Sequence, residues 1–375
     1  MSASVANISA PTTLVKGGTI VTASDQFEAD ILVRGETIAV MGRELEVRTD
    51  AVVDAKGCYV FPGAVQTHFS NQDFESAALA ALQGGVTTLL DQAPPVDRGG
   101  LFGGLRAARE RNQGKSAIDY AFHSQVAFFD EGTRAEIREL IEEEGVSSFE
   151  VAMNPPWLQA LMVETSCWGG IVRIHAESDQ ASFENRDRAG DVLDLTHAGG
   201  HPVCLASVTF ENTLNRLREV TLRNQRAWAE TRVECLFDDE CRSPDDQDAL
   251  WAGLRQGLVH VVGSGPHDLE VLHSEGVAKG RLSLQKLVEV CATLPARIYG
   301  LPGKGSVGIG SDADLVIFDP FAPHEIPAYP GRMFRGRVRS VLVRGMLAFD
   351  NGRVFERSQG FGRCLVRAKH LPDKL

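Results

Sequence analysis

The chain has 375 residues, of which 43% are hydrophobic and 23% charged. This composition is typical of a soluble globular protein with one large core. The formal net charge of −12, without a Lys/Arg-rich run, argues against nucleic acid and anionic membrane surfaces as partners. No apolar stretch is long enough to span a bilayer, and the N-terminal residues lack the apolar core of a signal peptide. We therefore expect a cytoplasmic protein whose seven scattered cysteines are free thiols.

Both ends of the chain carry short segments in which apolar and polar residues alternate between glycine turns. These segments occupy residues 14–21, 29–35, 311–318 and 340–345. A period of two residues predicts strands, and the glycines predict hairpin turns. We predict one small β-sandwich built from residues 1–60 and 304–355, followed by a C-terminal tail over residues 356–375.

The middle of the chain alternates short apolar segments with longer helical patterns. Candidate strands are Tyr59–Val65, Val86–Asp91, Ile118–Ala127, Phe149–Met153, Ile171–His175, Val203–Val208, Arg232–Leu236 and Val259–Val262. Helical patterns include Arg134–Glu144 and Asp245–Arg255. About eight strand–helix units over this length predict an α/β fold, a (β/α)₈ TIM-type barrel over residues 61–303, with the chemistry at the carboxyl ends of its strands.

Several short motifs occur in an order that is informative as a set. They are Lys16–Val21, residues 62–70 (Pro-Gly-Ala-Val-Gln-Thr-His-Phe-Ser), Gly84–Thr88, His175-Ala176-Glu177, Pro295–Leu301 and Gly308–Asp314. In this order they resemble the hydantoinase/dihydropyrimidinase branch of the amidohydrolase superfamily, over nearly the whole chain. The resemblance implies an amidohydrolase-type barrel with a β-sandwich, and an assembly as a dimer or tetramer.

The metal-ligand positions that this resemblance implies are largely altered here. The family places two histidines on strand one, a carbamylated lysine on strand four, a histidine on each of strands five and six, and an aspartate on strand eight. The corresponding residues of this chain are His68, Ser70, Glu150, His175, Ser207 and Gly265. The resemblance therefore implies that the binuclear centre is lost. We expect no cofactor, and the alternative is a single divalent metal ion.

The three retained polar residues, His68, Glu150 and His175, are the candidate catalytic residues, and three interpretations stay open. As two histidines and one carboxylate they are able to hold a single ion. They are equally able to satisfy one another by hydrogen bonds in a structural cluster. In a third interpretation Glu150 is a general base and a histidine is the acid, without a metal.

Candidate substrate-binding residues follow the barrel strands at the same end. They are Ser70, Asn71, Asn154 and Ser207. Asp91 and Glu177 lie on or just after strands, although solvated surface is the commoner position for such residues. Alternation does not decide whether His123 faces the lumen or a helix, and Cys204 is more simply an apolar core residue than a nucleophile.

The sequence supports two classes of function about equally. The first is a non-catalytic homologue, an assembly or binding subunit that has lost the hydrolysis of cyclic amides. The second is an enzyme with a rebuilt metal-free or single-metal site that acts on a small cyclic amide, imide or ureide. Loss of most of the ligand set favours the first, whereas retention of His68, Glu150 and His175 together favours the second.

Overall fold

The computed structural model describes residues 10–68, 73–96, 100–152, 155–175, 192–194, 200–222, 226–263 and 265–370. Its centre is a sheet of eight parallel strands, each hydrogen-bonded to the next in chain order. These strands are β6 (Ala64–Gln66), β7 (Val86–Ala93), β8 (Asp119–Gln125), β9 (Ser148–Ala152), β10 (Ile171–His175), β11 (Val203–Ala206), β12 (Ala227–Thr231) and β13 (Val261–Val262). The backbone N–H groups of Thr67 and His68 donate to the carbonyl of Gly263, which brings the first strand to the last. The predicted barrel is therefore confirmed.

The side chains of the barrel strands alternate between an outward apolar face and an inward face, and the helices pack on the apolar face outside the barrel. On β10, for example, Val172 and Ile174 belong to the large apolar core, whereas Arg173 and His175 lie on the opposite face of the strand. The α-helices are Phe74–Gln83, Gly100–Asn112, Glu131–Glu142, Leu158–Trp168, Glu211–Thr221, Pro244–Gln256, Asp268–Val271, Leu284–Val288 and Leu294–Ile298. Two π-helical segments, Leu272–Val277 and Glu289–Thr293, and two 3₁₀ segments, Val233–Leu236 and Glu356–Ser358, are also present.

The sequence misplaced one barrel strand. The predicted strand Arg232–Leu236 is a 3₁₀ turn over most of its length, and the strand is instead Ala227–Thr231. The true strand escaped detection because it carries Glu230, a carboxylate that is normally excluded from a core. Glu230 is buried there because it pairs with Arg173 inside the barrel. The predicted strand Tyr59–Val65 is likewise two strands, Tyr59–Pro62 in the second sheet and Ala64–Gln66 in the barrel.

A separate, mostly antiparallel sheet of nine strands joins the two ends of the chain. Its strands are β1 (Thr12–Val21), β2 (Gln26–Arg34), β3 (Thr37–Gly42), β4 (Ala51–Asp54), β5 (Tyr59–Pro62), β14 (Leu315–Glu325), β15 (Met333–Val343), β16 (Met346–Asp350) and β17 (Arg353–Val354). The N-terminal and C-terminal strands meet where β5 pairs with β14 in antiparallel register. The predicted second domain is confirmed as an element of the fold, while its exact boundaries stay a prediction.

One expectation about the cysteines is wrong. Cys235 and Cys241 form a disulfide, because the turn after β12 brings their Cα atoms to 5.2 Å, and the other five cysteines are free. No helix among the described residues is long and apolar enough to cross a membrane.

Candidate active site at the mouth of the barrel

His68 follows β6 at the carboxyl end of the barrel. Its backbone is held by Gly263 of the last strand, and its ring Nδ1 is buried without a hydrogen-bond partner among the described residues. Burial, followed by the charges of Arg173 and His175, lowers the pKa of His68 to about 4 against the opposite effect of Glu150 and Glu230. His68 is therefore a neutral imidazole at physiological pH. A neutral imidazole with an unused nitrogen is what a metal ligand requires.

Glu150 on β9 is the most heavily engaged residue of the mouth. Its Oε2 accepts from Arg173 Nη1 at 2.6 Å and its Oε1 accepts from Gln92 Nε2 at 2.5 Å. Burial raises the pKa of this carboxyl, but Arg173 and His175 more than offset burial and hold it well below its usual range. A carboxylate with so low a pKa is a weak proton acceptor. The interpretation of Glu150 as a general base loses support for this reason.

His175, the last residue of β10, completes the group. Its Nε2 lies 3.1 Å from Glu150 Oε1, its ring centroid lies 5.4 Å from that of His68, and 24% of its side chain is exposed. One ligand atom from each of His68, Glu150 and His175 lies within 4.8 Å of the others. The structure therefore brings the three candidate catalytic residues together, although their chemical roles stay a prediction. Within the described part of the chain they form the one such cluster of three metal-ligating side chains at this spacing.

Behind this group lies an arginine that crosses the lumen. Arg173 on β10 donates to Glu150 on one side and, through Nε and Nη2, to Glu230 Oε2 on β12 at 3.0 and 2.6 Å. The Tyr299 hydroxyl donates to the other oxygen of Glu230. Arg173, Glu150 and Glu230 each expose 5% of their side chain or less. Each carboxylate oxygen is satisfied, which a buried ion pair requires.

Of the predicted substrate-binding residues, the structure describes Ser207 alone. Ser207 follows β11 with a left-handed φ of 59°, and it offers a hydroxyl in place of an imidazole. Its role in substrate binding stays a prediction. Four candidates lie outside the described residues, namely Ser70, Asn71, Asn154 and Glu177.

Three further candidates are structural. His123 faces the lumen, where its Nε2 donates to the Thr67 carbonyl and its Nδ1 contacts the Ser148 hydroxyl. Asp91 points away from the mouth and accepts hydrogen bonds from Arg111 and Asn112. Burial raises the pKa of the Cys204 thiol well above its ordinary value, so this residue is a core side chain and a poor nucleophile.

Sequence reasoning missed Arg173, Gln92 and Glu230. Arg173 stands two residues before His175 on the same strand. Because side chains of a strand alternate between its two faces, the sequence already indicated that Arg173 lies on the same face as His175. Gln92 follows Asp91 directly on β7, so its side chain lies on the opposite strand face and reaches Glu150 in the lumen. Glu230 was missed because its strand was misplaced.

The barrel, its second sheet and the polar cluster at the carboxyl ends of the strands define a TIM-type barrel with its candidate site where such barrels carry their chemistry. The amidohydrolase family matches residues 39–348. A D-hydantoinase from Geobacillus stearothermophilus is 29% identical over 458 aligned residues, which cover 96% of this chain and 97% of the relative. A D-phenylhydantoinase from Escherichia coli is 28% identical over 461 residues, covering 96% and 99%.

Solved structures agree with these relatives. A D-hydantoinase structure superposes with a TM-score of 0.91 at 28% identity, covering 96% of this chain and 100% of that chain. The dihydropyrimidinase from Brevibacillus agri NCHU1002 superposes with a TM-score of 0.89 at 26% identity, covering 96% and 99%. The chain belongs to the amidohydrolase family, and its similar proteins are hydantoinases and dihydropyrimidinases.

The expectation of no cofactor is wrong. Family hydantoinases use a binuclear metal centre, and this chain presents a candidate group of His68, Glu150 and His175. The buried, unpartnered Nδ1 of His68 and the anionic Glu150 fit one divalent cation. No second group of three metal-ligating side chains at this spacing occurs among the described residues.

Proposed function

We propose that this protein is a single-cation member of the hydantoinase lineage that acts on the C–N bond of a small cyclic amide, imide or ureide. The observation that carries the proposal is the group of His68, Glu150 and His175, whose ligand atoms lie within 4.8 Å of one another. Relatives named D-hydantoinase and D-phenylhydantoinase support the substrate class. Assembly as a dimer or tetramer in the cytoplasm is part of the same proposal.

Two of the candidate ligands, His68 and Glu150, are preset in the protonation states that cation binding needs. Burial keeps His68 neutral, and Arg173 keeps Glu150 anionic, so neither has to lose a proton at neutral pH. Gln92 and Arg173 also fix the orientation of the Glu150 carboxylate. A divalent cation, when bound, polarises a carbonyl oxygen and lowers the pKa of a water molecule. The exposed part of His175 leaves the group open to a small ligand.

Hydrolysis of hydantoin and dihydrouracil themselves is proposed to be lost. Serine and glycine stand at three of the family's ligand positions, namely Ser70, Ser207 and Gly265. The resemblance to the hydantoinase family also implies that Leu294 stands where the family has a substrate-holding asparagine. The alignment with the Geobacillus relative runs over 458 positions, more than the 375 residues of this chain, so the relative carries segments that this chain lacks.

A non-catalytic binding or assembly subunit is the second candidate. The observation in its favour is that the carboxylates of Glu150 and Glu230 are already ion-paired within the protein with Arg173. Such a self-satisfied network does not need a reaction to explain it.

The test combines metal analysis with turnover. Protein purified without chelator should hold about one zinc, manganese or iron ion per chain, because one set of ligands is present. Turnover is then measured on a panel of cyclic amides, imides and ureides that includes hydantoin and dihydrouracil, with His68→Gln as the inactive control. One ion with chelator-sensitive turnover of a panel member supports the enzyme. One ion without any turnover supports the binding subunit, and two ions per chain contradict the single-cation site.

A further inference from the structure

A guanidinium inside the lumen is unusual in a site that is to receive a divalent cation. Arg173 lies on the same strand face as His175, two residues earlier. Its Nη1 is 2.6 Å from Glu150 Oε2 and 3.0 Å from His175 Nε2, so it contacts two of the three candidate ligands. Its Nε and Nη2 donate to Glu230. The side chain is 2% exposed.

We infer that Arg173 is a built-in positive charge that limits the mouth of the barrel to one divalent cation and weakens the binding of that cation. Its guanidinium pairs with Glu150 and Glu230, two carboxylates that point into the lumen in the described part of the barrel. A cation at His68, Glu150 and His175 is repelled by the adjacent guanidinium. Among the described residues, no further group of ligating side chains is present for a second cation. The inference rests on the proposed single-cation site and goes beyond it by assigning what sets its stoichiometry and affinity.

Arg173 is not a substrate-binding residue. Nε, Nη1 and Nη2 all make hydrogen bonds to carboxylates within the barrel, and the side chain is closed to solvent. Two roles therefore remain. A purely structural arginine would, when removed, disorder the ligands and weaken cation binding. A charge-limiting arginine would, when removed, strengthen cation binding. The two roles predict changes of opposite sign in one measurement.

The measurement is titration of zinc and manganese into chelator-treated full-length protein, followed by calorimetry at neutral pH. The main variant is Arg173→Met with Glu230→Gln, because the double change removes the ion pair without leaving a buried carboxylate unpaired. We expect the double variant to bind its first ion at least about tenfold more tightly than the parent chain. Arg173→Met alone, which frees Glu230 as a carboxylate, is expected to take up a second ion.

Three controls separate charge from packing. Arg173→Lys keeps the positive charge with a different shape, so its affinity should stay within about twofold of the parent value if charge decides. Glu230→Gln alone keeps Arg173 and should not tighten binding. Arg367→Met removes another buried arginine, which donates to Ser148 and to the Phe122 carbonyl, and it should leave cation affinity unchanged. Circular dichroism and melting temperature identify any variant that fails to fold.

The outcomes distinguish this inference from the proposed function. Equal or weaker binding in a folded double variant overturns the charge-limiting role and leaves the single-cation site intact. If only the Arg173 variants bind a cation, Arg173 excludes the ion altogether, and both the proposed single-cation function and the limit of one ion are wrong. If neither the parent chain nor any variant binds, both are wrong.

Discussion

Two clusters of buried charged residues in this protein differ in whether all of their polar atoms have hydrogen-bond partners. The lumen cluster consists of His68, Glu150, Arg173, His175 and Glu230. The barrel–sheet cluster joins strand β8 of the barrel to the second sheet and consists of Glu36, Asp119, Lys304, Asp314 and Arg344. Both place arginine or lysine between carboxylates at a few percent exposure.

The barrel–sheet cluster is closed in the sense that none of its buried side-chain polar atoms lacks a hydrogen-bond partner, although Glu36 and Asp312 at its rim are 41% and 27% exposed. Lys304 Nζ lies within 2.9 Å of Asp119, Asp312 and Asp314, and Arg344 donates to both Asp119 and Glu36. Burial would lower the pKa of Lys304, but Asp314 and Asp119 raise it above its ordinary value. The lumen cluster is open in the opposite sense, because His68 Nδ1 is buried without a partner among the described residues. Burial, ion pairing and a partly exposed residue are common to both clusters, so the unused nitrogen of His68 is what identifies a site for a ligand.

Removal of the central cation of the closed cluster should have the largest effect on stability. Lys304→Met leaves Asp119 and Asp314 buried beside one another, and we expect a loss of about 3–5 kcal/mol in the free energy of unfolding. Urea unfolding followed by circular dichroism measures it. The matched control is Arg363→Met at the rim, where the ion pair with Glu36 is solvent-exposed and should contribute less than about 1 kcal/mol. Equal losses in the two variants would contradict the description of a buried, closed cluster.

The same kind of change in the open cluster should affect binding more than folding. Glu150→Gln keeps the shape but removes the charge that pairs with Arg173, and we expect a loss of about 2–3 kcal/mol in stability. Cation affinity should fall by at least about 100-fold, because Glu150 is expected to bind the cation directly and does not only orient another ligand. Calorimetric titration and melting temperature are measured together. Glu142→Gln, at an exposed helix end, should change neither. Full cation affinity in Glu150→Gln would remove Glu150 from the ligand set.

Acid should lower the free energy of unfolding through His260, which lies beside the strand β12 that carries Glu230 of the lumen cluster. His260 Nδ1 accepts from the backbone N–H of Ala229, next to Glu230, and burial lowers the pKa of His260 from 6.5 to about 4. The unfolded chain therefore binds a proton between pH 6.5 and 4 that the folded protein excludes, so stability is full above pH 6.5 and falls towards pH 4. We expect this one group to contribute about 3 kcal/mol to that loss. Urea unfolding across the range should show a shallower pH dependence in His260→Gln. A slope identical to that of the parent chain would show that His260 titrates normally.

The order of strands and helices was predictable because local patterns determine it. Alternating segments at both ends, apolar segments in the middle and the motif order indicate the barrel, the second sheet and the family. The strand Ala227–Thr231 was not predictable in this way. Glu230 interrupts its apolar pattern, and the compensating partner, Arg173, lies 57 residues earlier in the chain. A local window contains no information about such a partner.

By itself, the sequence of this protein determined the family, the barrel fold and the gathering of His68, Glu150 and His175 at one end of the barrel. The parallel arrangement of strands forces the carboxyl ends together, so residues at those ends meet wherever they stand in the chain. Only the tertiary structure decided which charge each residue carries and what limits the site. Those properties depend on burial and on distances between β7, β9, β10 and β12, and they place Gln92, Arg173 and Glu230 around the candidate ligands. Electrostatic interactions act through space between groups far apart in sequence, and the lumen of the barrel is where the fold brings these groups together.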